Sequence, residues 1–451
     1  MASASRLLIP LILALLCADS VHAQRPAPIR LSFAGAVREA TGASPDTGSP
    51  PPAVVIAGFR TDAAAARVRQ ARSGLLPDLS LSGSWVNRSF NSKTLGFSFP
   101  GPVLIPTRIG PFSAYDGRVR LTQTIFDFSN LGRVSAAKRQ VVAAGAERTA
   151  AVEGSAQNVA LAYARAIRAQ AVVAARGADS ALAAELVGLA VAQQKAGVSA
   201  SIDVTRARTQ LAEATGQLVV AENQLDRAKI DLARALGLDA ATPIVLTDTL
   251  TAQLGAADVP ADRDAAVAQA VAVRPDLAAE VARGAAARTS ASAISAERQP
   301  RLDLEADYGL SGVRMPDAIT TRQVAVQVTL PILDGFRREG RLAEQQAVVR
   351  ESNVRARDLR QQVAADVDGA LLDLRSAAAR QMIASDRLQL AAQEVSEARQ
   401  RFRAGVAGNI EVINAQSSLL RARDADIDAR FAAVTARIAL ARSVGSARTL
   451  H

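Results

Sequence analysis

The chain has 451 residues, one cysteine, two histidines and a formal net charge of +10. Its length suits two or three domains, but Cys17, His22 and His451 supply no thiol nucleophile, Ser-His-Asp triad or histidine metal cluster once the N-terminal segment is removed, so an enzyme of those classes is excluded. The arginines are scattered between Asp and Glu along helical patterns, with no basic block or aromatic platform beside them, which describes solvated helix faces and no nucleic-acid partner.

The start reads as a secretory leader. Arg6 is a positive n-region, Leu7 to Leu16 an apolar run, and Val21-His22-Ala23 a small-residue cleavage site, predicting a signal peptide over 1–23. A membrane anchor is the alternative, for which the run is short. Lipidation of Cys17 is another, against which Leu16 stands where such cysteines usually follow a small residue. Without cysteine, an exported chain relies on packing or oligomerisation.

Gln24 to Pro52 is rich in Pro, Gly and Ser and reads as irregular, with one short helix around Phe33 to Glu39. A helical pattern runs from Val54 to Ser73 and stops before Pro77. The period then changes: Leu79, Leu81, Gly83 and Trp85 alternate with Ser80, Ser82 and Ser84, the pattern of a strand. A loop rich in Gly, Pro and Phe is expected from Asn87 to Pro111, followed by a second strand with Tyr115, Val119 and Leu121 on one face. Aromatic residues are only 3% of the chain, so the crowding of Trp85, Phe90, Phe97, Phe99, Phe112, Tyr115, Phe126 and Phe128 here is informative. Rings gather at the rims of membrane barrels; a β-sandwich core is the plainer alternative.

After Phe126-Asp127-Phe128 the period is helical to about Ala196, a span of roughly 100 Å at about 1.5 Å per residue, which implies coiled-coil or barrel packing. The return helix carries Val204, Leu211, Leu218, Leu225 and Leu232 at a strict seven-residue spacing. Leu236-Gly237-Leu238 ends it, and Asp239 to Pro260 reads as a linker containing the apolar run Ile244-Val245-Leu246.

The cycle then repeats. Asp264 to Ala296 is helical, interrupted at Arg274-Pro275-Asp276-Leu277. Pro300 to Leu304 echoes Pro77 to Leu81, and strands follow on Leu302, Leu304, Ala306 and Tyr308, then on Val324, Val326, Val328 and Leu330. Pro331-Ile332-Leu333-Asp334 echoes Thr124-Ile125-Phe126-Asp127. A second long helix ends at Phe402, and a last one carries Ile410, Ile413, Leu420 and Ile427. Two structural repeats are therefore expected, 24–238 and 239–451. Their strands are at about 79–90 and 113–124, then 302–313 and 321–331. Each repeat has a helical hairpin, with tips at Gly197-Val198 and Gly405-Val406, where a left-handed glycine ends one helix and small polar residues cap the next. Four strands cannot close a barrel, and an open edge in lipid leaves backbone groups unsatisfied, so several copies share one barrel.

The tips, with Ile202-Asp203-Val204, Ile410-Glu411-Val412, Asn414-Ala415-Gln416, Arg274-Pro275-Asp276-Leu277 and Leu330 to Gly335, resemble those of TolC-type outer membrane efflux proteins. The likeness covers nearly the whole mature chain, although the Asn-Pro frequent near the start of relatives is missing. It implies a mainly α fold with a β membrane barrel: a homotrimer with one twelve-stranded transmembrane β-barrel in outer membrane lipid, and an α-barrel reaching into the periplasm. It further implies a periplasmic adaptor docked on the tips, an inner-membrane transporter behind it, and no cofactor. In relatives, acidic side chains just after the second tip line the narrowest constriction. The matching positions are Glu411 and Asn414, with Asp203 in the equivalent place of the first repeat. The plainer readings are that the tip glycines only cap helices and that Glu411 answers the helix dipole. The function implied is a passive exit duct of an efflux pump. A type I protein secretion duct and a periplasmic coiled-coil adaptor are the alternatives, and an adaptor would show only one hairpin.

Overall fold

The structure, a computed structural model, describes residues 28–42, 50–95, 106–251, 253–257, 259–260, 262–406 and 408–451. The leader reading over 1–23, with Cys17, lies outside these residues, as does the middle of the Asn87–Pro111 loop.

The chain opens with β1 (Ile29–Leu31), α1 (Phe33–Ala40) and α2 (Pro52–Ser73), then the strands β2 (Asp78–Asn91) and β3 (Arg108–Phe126). The first hairpin is α3 (Phe128–Lys195) and α4 (Ser201–Leu236). After β4 (Ile244–Leu246) the order recurs: α5 (Arg263–Val273), α6 (Pro275–Ala296), β5 (Arg301–Gly312), β6 (Ile319–Thr329), α7 (Arg337–Arg403) and α8 (Asn409–Ser443). The strands β2, β3, β5 and β6 form one antiparallel sheet in that order, so β2 and β6 are its open edges. β2 and β3 are longer than alternation alone indicated. Phe90 faces Ile109 and Asn91 faces Arg108 beyond a bulge at Arg88 to Phe90, so residues expected in the loop extend the ladder.

The helices meet along seams of small residues. In α7 the buried positions Ala356, Val363, Ala370, Ala377, Ala384, Ala391 and Ala398 recur every seven residues. That 3.5-residue period is the geometry of a left-handed coil. In α4 the buried seam is Val204, Ala207, Ala214 and Ala221, while Leu211, Leu218 and Leu225 of the expected leucine stripe are only half-buried. Alanine keeps helix propensity high and lets the axes approach closely. The long helices start differently. Asp127 caps α3 by accepting from the Ser129 N–H at 2.7 Å. At α7, Gly335 and Phe336 both take left-handed backbone angles, and Asp334 reaches the Arg338 N–H at 3.2 Å instead.

A compact belt surrounds the middle of the helices. The expected linker supplies β4, which pairs in parallel with β1. Beneath them, Phe33 packs edge-on against Tyr163, whose hydroxyl donates to the Leu31 carbonyl at 2.8 Å. Glu153 is fully buried and holds the C-terminal segment, accepting from the Ala447 N–H at 2.9 Å and from Arg448.

The break at Arg274 is a clamp. Its buried guanidinium grips Asp276 through Nε at 3.1 Å and Nη2 at 2.6 Å, and reaches Asp366 of α7 at 2.7 Å. Burial pushes the Asp276 carboxyl up, but hydrogen bonding to Arg274 and its charge outweigh that and hold it below its ordinary 3.8. A depressed carboxyl contributes stability that is complete above its unfolded value and lost as pH falls through the folded one. Arg274→Ala should therefore cost about 2 kcal/mol at neutral pH, since both acids keep contact with water. The penalty should stay flat down to pH 5 and shrink only below 3.8. Thermal unfolding of both proteins across that pH range checks it.

Candidate functional site

Two surfaces lie at opposite ends of the molecule, and the sheet defines the first. Register places Leu79, Leu81, Gly83 and Trp85 beside Leu121, Val119, Gly117 and Tyr115. The same face continues through Ala306, Tyr308 and Leu310 to Val324 and Val326, most of them exposed. The opposite face carries Ser80, Ser82, Ser84, Arg118, Arg120, Asp303, Glu305, Asp307 and Gln327. One apolar face and one polar face are what a strand needs between lipid and water. On the polar side Arg118 bonds Asp116 at 2.9 Å, and also Asp307 and Thr321. It lies over Gly309, where a Cβ would come within 3.1 Å of its own Cβ and 2.5 Å of the Gly117 carbonyl. Among the described residues no helix is long and apolar enough to cross a membrane.

The second surface is the pair of hairpin tips, whose backbone turns match. Gly197 has φ 71° and Gly405 φ 70°. The Val198 N–H donates to the Gln193 carbonyl at 3.0 Å, and the Val406 N–H to the Arg401 carbonyl at 3.0 Å. A side chain at either glycine would meet open space, so only the backbone angle demands glycine, at about 1–2 kcal/mol for any other residue. Both valines are 72% exposed, and Ile202 and Ile410 are half exposed beside them. The expected side-chain caps are absent: the N-cap residues of α4 and α8 are Ala200 and Gly408, which carry no side-chain acceptor, and Ser199 donates instead to the Asp203 carboxylate at 2.8 Å.

The acidic positions are brought to this same end. The Asn409 amide donates to the Asp203 carbonyl at 3.0 Å, and Gln193 to the Phe402 carbonyl at 2.9 Å, tying the two tips together. Glu411 is partly buried and pairs with Arg401 at 2.8 Å across the second tip. Asp203 lies 3.8 Å from Arg206, and Asn414 is exposed. Sequence reasoning missed Gln193, Arg401 and Asn409. The first two occupy corresponding places in the two repeats, and comparing the repeats before the tips as well as after them finds them. No cluster of His, Cys, Asp and Glu that could hold a metal occurs among the described residues.

Comparison with known proteins agrees with this geometry. The sequence profile of the outer membrane efflux protein family matches residues 51–238 and 266–446, one stretch per repeat. The chain belongs to this family. Such a protein lies in the outer membrane and extends into the periplasm, and members are typically trimeric parts of tripartite systems. The chain is 29% identical over 251 residues to CyaE of Bordetella pertussis and 25% identical over 267 residues to the pyoverdine export outer membrane protein OpmQ of Pseudomonas putida. These alignments take in 54% and 58% of this chain and 52% and 55% of the relatives, so the chain spans about half the length of the curated relatives it matches. The fold is shared with the Campylobacter jejuni CmeC outer membrane channel at TM-score 0.76 and 15% identity, over 92% of this chain and 86% of that one.

A member that extends from the outer membrane into the periplasm is expected to hold its helical tips inward and the Met315–Asp317 turn between β5 and β6 outward. A cysteine at Asp317→Cys should react with a membrane-impermeant maleimide on intact cells, and one at Ser199→Cys only after permeabilisation. The opposite pattern would reverse the orientation.

Proposed function

We propose that this chain is the outer membrane exit duct of a tripartite export system, passively conducting cargo delivered by an inner-membrane transporter through a periplasmic adaptor. The observation that carries this reading is the four-stranded sheet whose outer edges, on β2 and β6, have no partner strand among the described residues and whose one face is apolar. Three copies give twelve strands, enough for an open lumen, and pair every edge. Exposed apolar side chains on two of the long helices support the same assembly: Val219, Val220 and Ile230 on α4, and Leu372, Ile383 and Leu390 on α7. A neighbouring copy would cover them. The similarity to a pyoverdine export outer membrane protein supports small-molecule export as the first reading, with polypeptide secretion as the second.

Two parts of the duct are assigned. The exposed Val198 and Val406, held by Gly197 and Gly405, are the adaptor-docking surface. Glu411 and Asn414 of α8, with Asp203 of α4, form the inner constriction, where threefold symmetry would make a ring of Glu411 carboxylates. The Arg401 partner of Glu411 offsets part of that charge.

Purified protein should migrate as a heat-modifiable trimer from the membrane fraction. The Val198→Asp, Val406→Asp double variant should keep that trimer and lose export in cells, and loss of the trimer would point instead to a structural role for the tips. In planar bilayers the pore should prefer cations, since a carboxylate ring attracts them. Glu411→Ala should weaken that preference and Arg401→Ala strengthen it. An unchanged reversal potential across a salt gradient in both variants would remove Glu411 from the constriction.

A further inference from the structure

Where the sheet meets the long helices, the chain forms a partly open cavity of about 410 Å3. Five guanidinium groups line it, those of Arg133, Arg301, Arg337, Arg338 and Arg341. Against them stand three carboxylates, Asp127, Glu297 and Asp334, and all three are already engaged. Asp127 caps α3. Glu297 serves two arginines, accepting from Arg133 at 2.9 Å and from Arg341 at 2.9 and 3.1 Å. Burial pushes its carboxyl up, but the hydrogen bonds from these arginines outweigh that and hold it below the ordinary range, so it is ionised at neutral pH. Asp334 is bonded to the Arg338 backbone and meets its guanidinium only at 3.4 Å.

Two positive groups are therefore poorly matched. Arg338 is only 6% exposed, and that long contact is its sole ion pair among the described residues. Arg337 has none among them. A largely buried guanidinium whose one ion pair among the described residues is long gains from an anion that completes it. The first turns of α3 and α7 also border the cavity, through Ser129, Asn130, Arg337 and Arg338, and helix N-termini favour negative charge. Thr124, Arg301 and Thr329 reach it from the polar face of the sheet, so it lies toward the barrel interior and away from the lipid face.

We propose that this neck binds a tetrahedral oxyanion, a phosphate group, through Arg337 and Arg338. The guanidinium fork matches two phosphate oxygens at once, which favours phosphate over chloride. The phosphate comes either from anionic cargo in the lumen or from a lipid headgroup. The cargo source rests on the exit-duct reading, while binding itself does not.

The test is calorimetric titration of the purified full chain in a phosphate-free detergent with inorganic phosphate, at constant ionic strength. Saturable binding that chloride does not reproduce is expected. Arg337→Ala should weaken it about tenfold, the loss of one charge-assisted contact; its side chain is exposed and has no ion pair among the described residues, so the fold is retained. Arg338→Gln should abolish binding, and Arg337→Ala decides the matter if that variant fails to assemble. Phosphorus analysis separates the sources: lipid phosphate that co-purifies with the wild type and is lost in Arg337→Ala assigns the site to a headgroup. Free-phosphate binding without co-purified lipid assigns it to the lumen. No saturable binding together with no co-purified phosphate, or equal binding by wild type and Arg337→Ala, overturns the proposal. A chain that binds phosphate but forms no conducting pore would retain the site and sink the duct.

Discussion

A strand that ends a sheet in lipid leaves its N–H and C=O groups without partners, at several kcal/mol for each. The protein is arranged around that constraint. One copy offers four strands whose outer edges, β2 and β6, are open, and whose Leu79, Leu81, Val324 and Val326 face outward. Among the described residues no further strand of the same copy pairs with either edge. The apolar face and the open edges specify one another, because a sheet that kept its apolar face in water would gain nothing from closure.

The helices extend the same dependence away from the membrane. Each long hairpin is held to its neighbours along one narrow seam, and the exposed side chains on α4 and α7 lie outside it. Ordering within a copy is concentrated in the belt. There Tyr163, Phe33, Glu153 and the paired β1 and β4 gather β1, α1 and the C-terminal segment around Ala447 onto α3. The Arg274 clamp supplies the corresponding lock between α6 and α7, where proline has broken the helix. Rigid belt and locked break together fix where the sheet and the tips sit relative to each other.

Much of this was legible in the sequence because the period changes are sharp. Alternation at Leu79 to Trp85 and at Val324 to Leu330 identified strands, and the duplicated Gly-Val pairs identified the tips. The rest was hidden for identifiable physical reasons. The seam of α7 is mostly alanine, and a search for large residues at seven-residue spacing finds the half-buried Leu211, Leu218 and Leu225 of α4 first. The outer part of β3, with Gly110 and Pro111, carries loop-like residues and is held by the ladder to β2. Glu411 reads as a free acid until the fold brings Arg401 across the tip. The arginines at the neck come from α3, β5 and α7, and no linear spacing connects them.

The alanine seam sets a gauge. Helix axes stand about 8–10 Å apart depending on the side chains between them, and in α7 those are alanines at five successive heptad positions from Ala370 to Ala398. Alanine is already near the lower limit of side-chain size, so a change at one of these positions runs largely toward wider spacing. In a closed ring of helices, spacing is circumference. Each seam residue thus acts as a shim, and the bore of the tunnel is written in the smallest side chains of the chain, far from any group that would touch what passes through it.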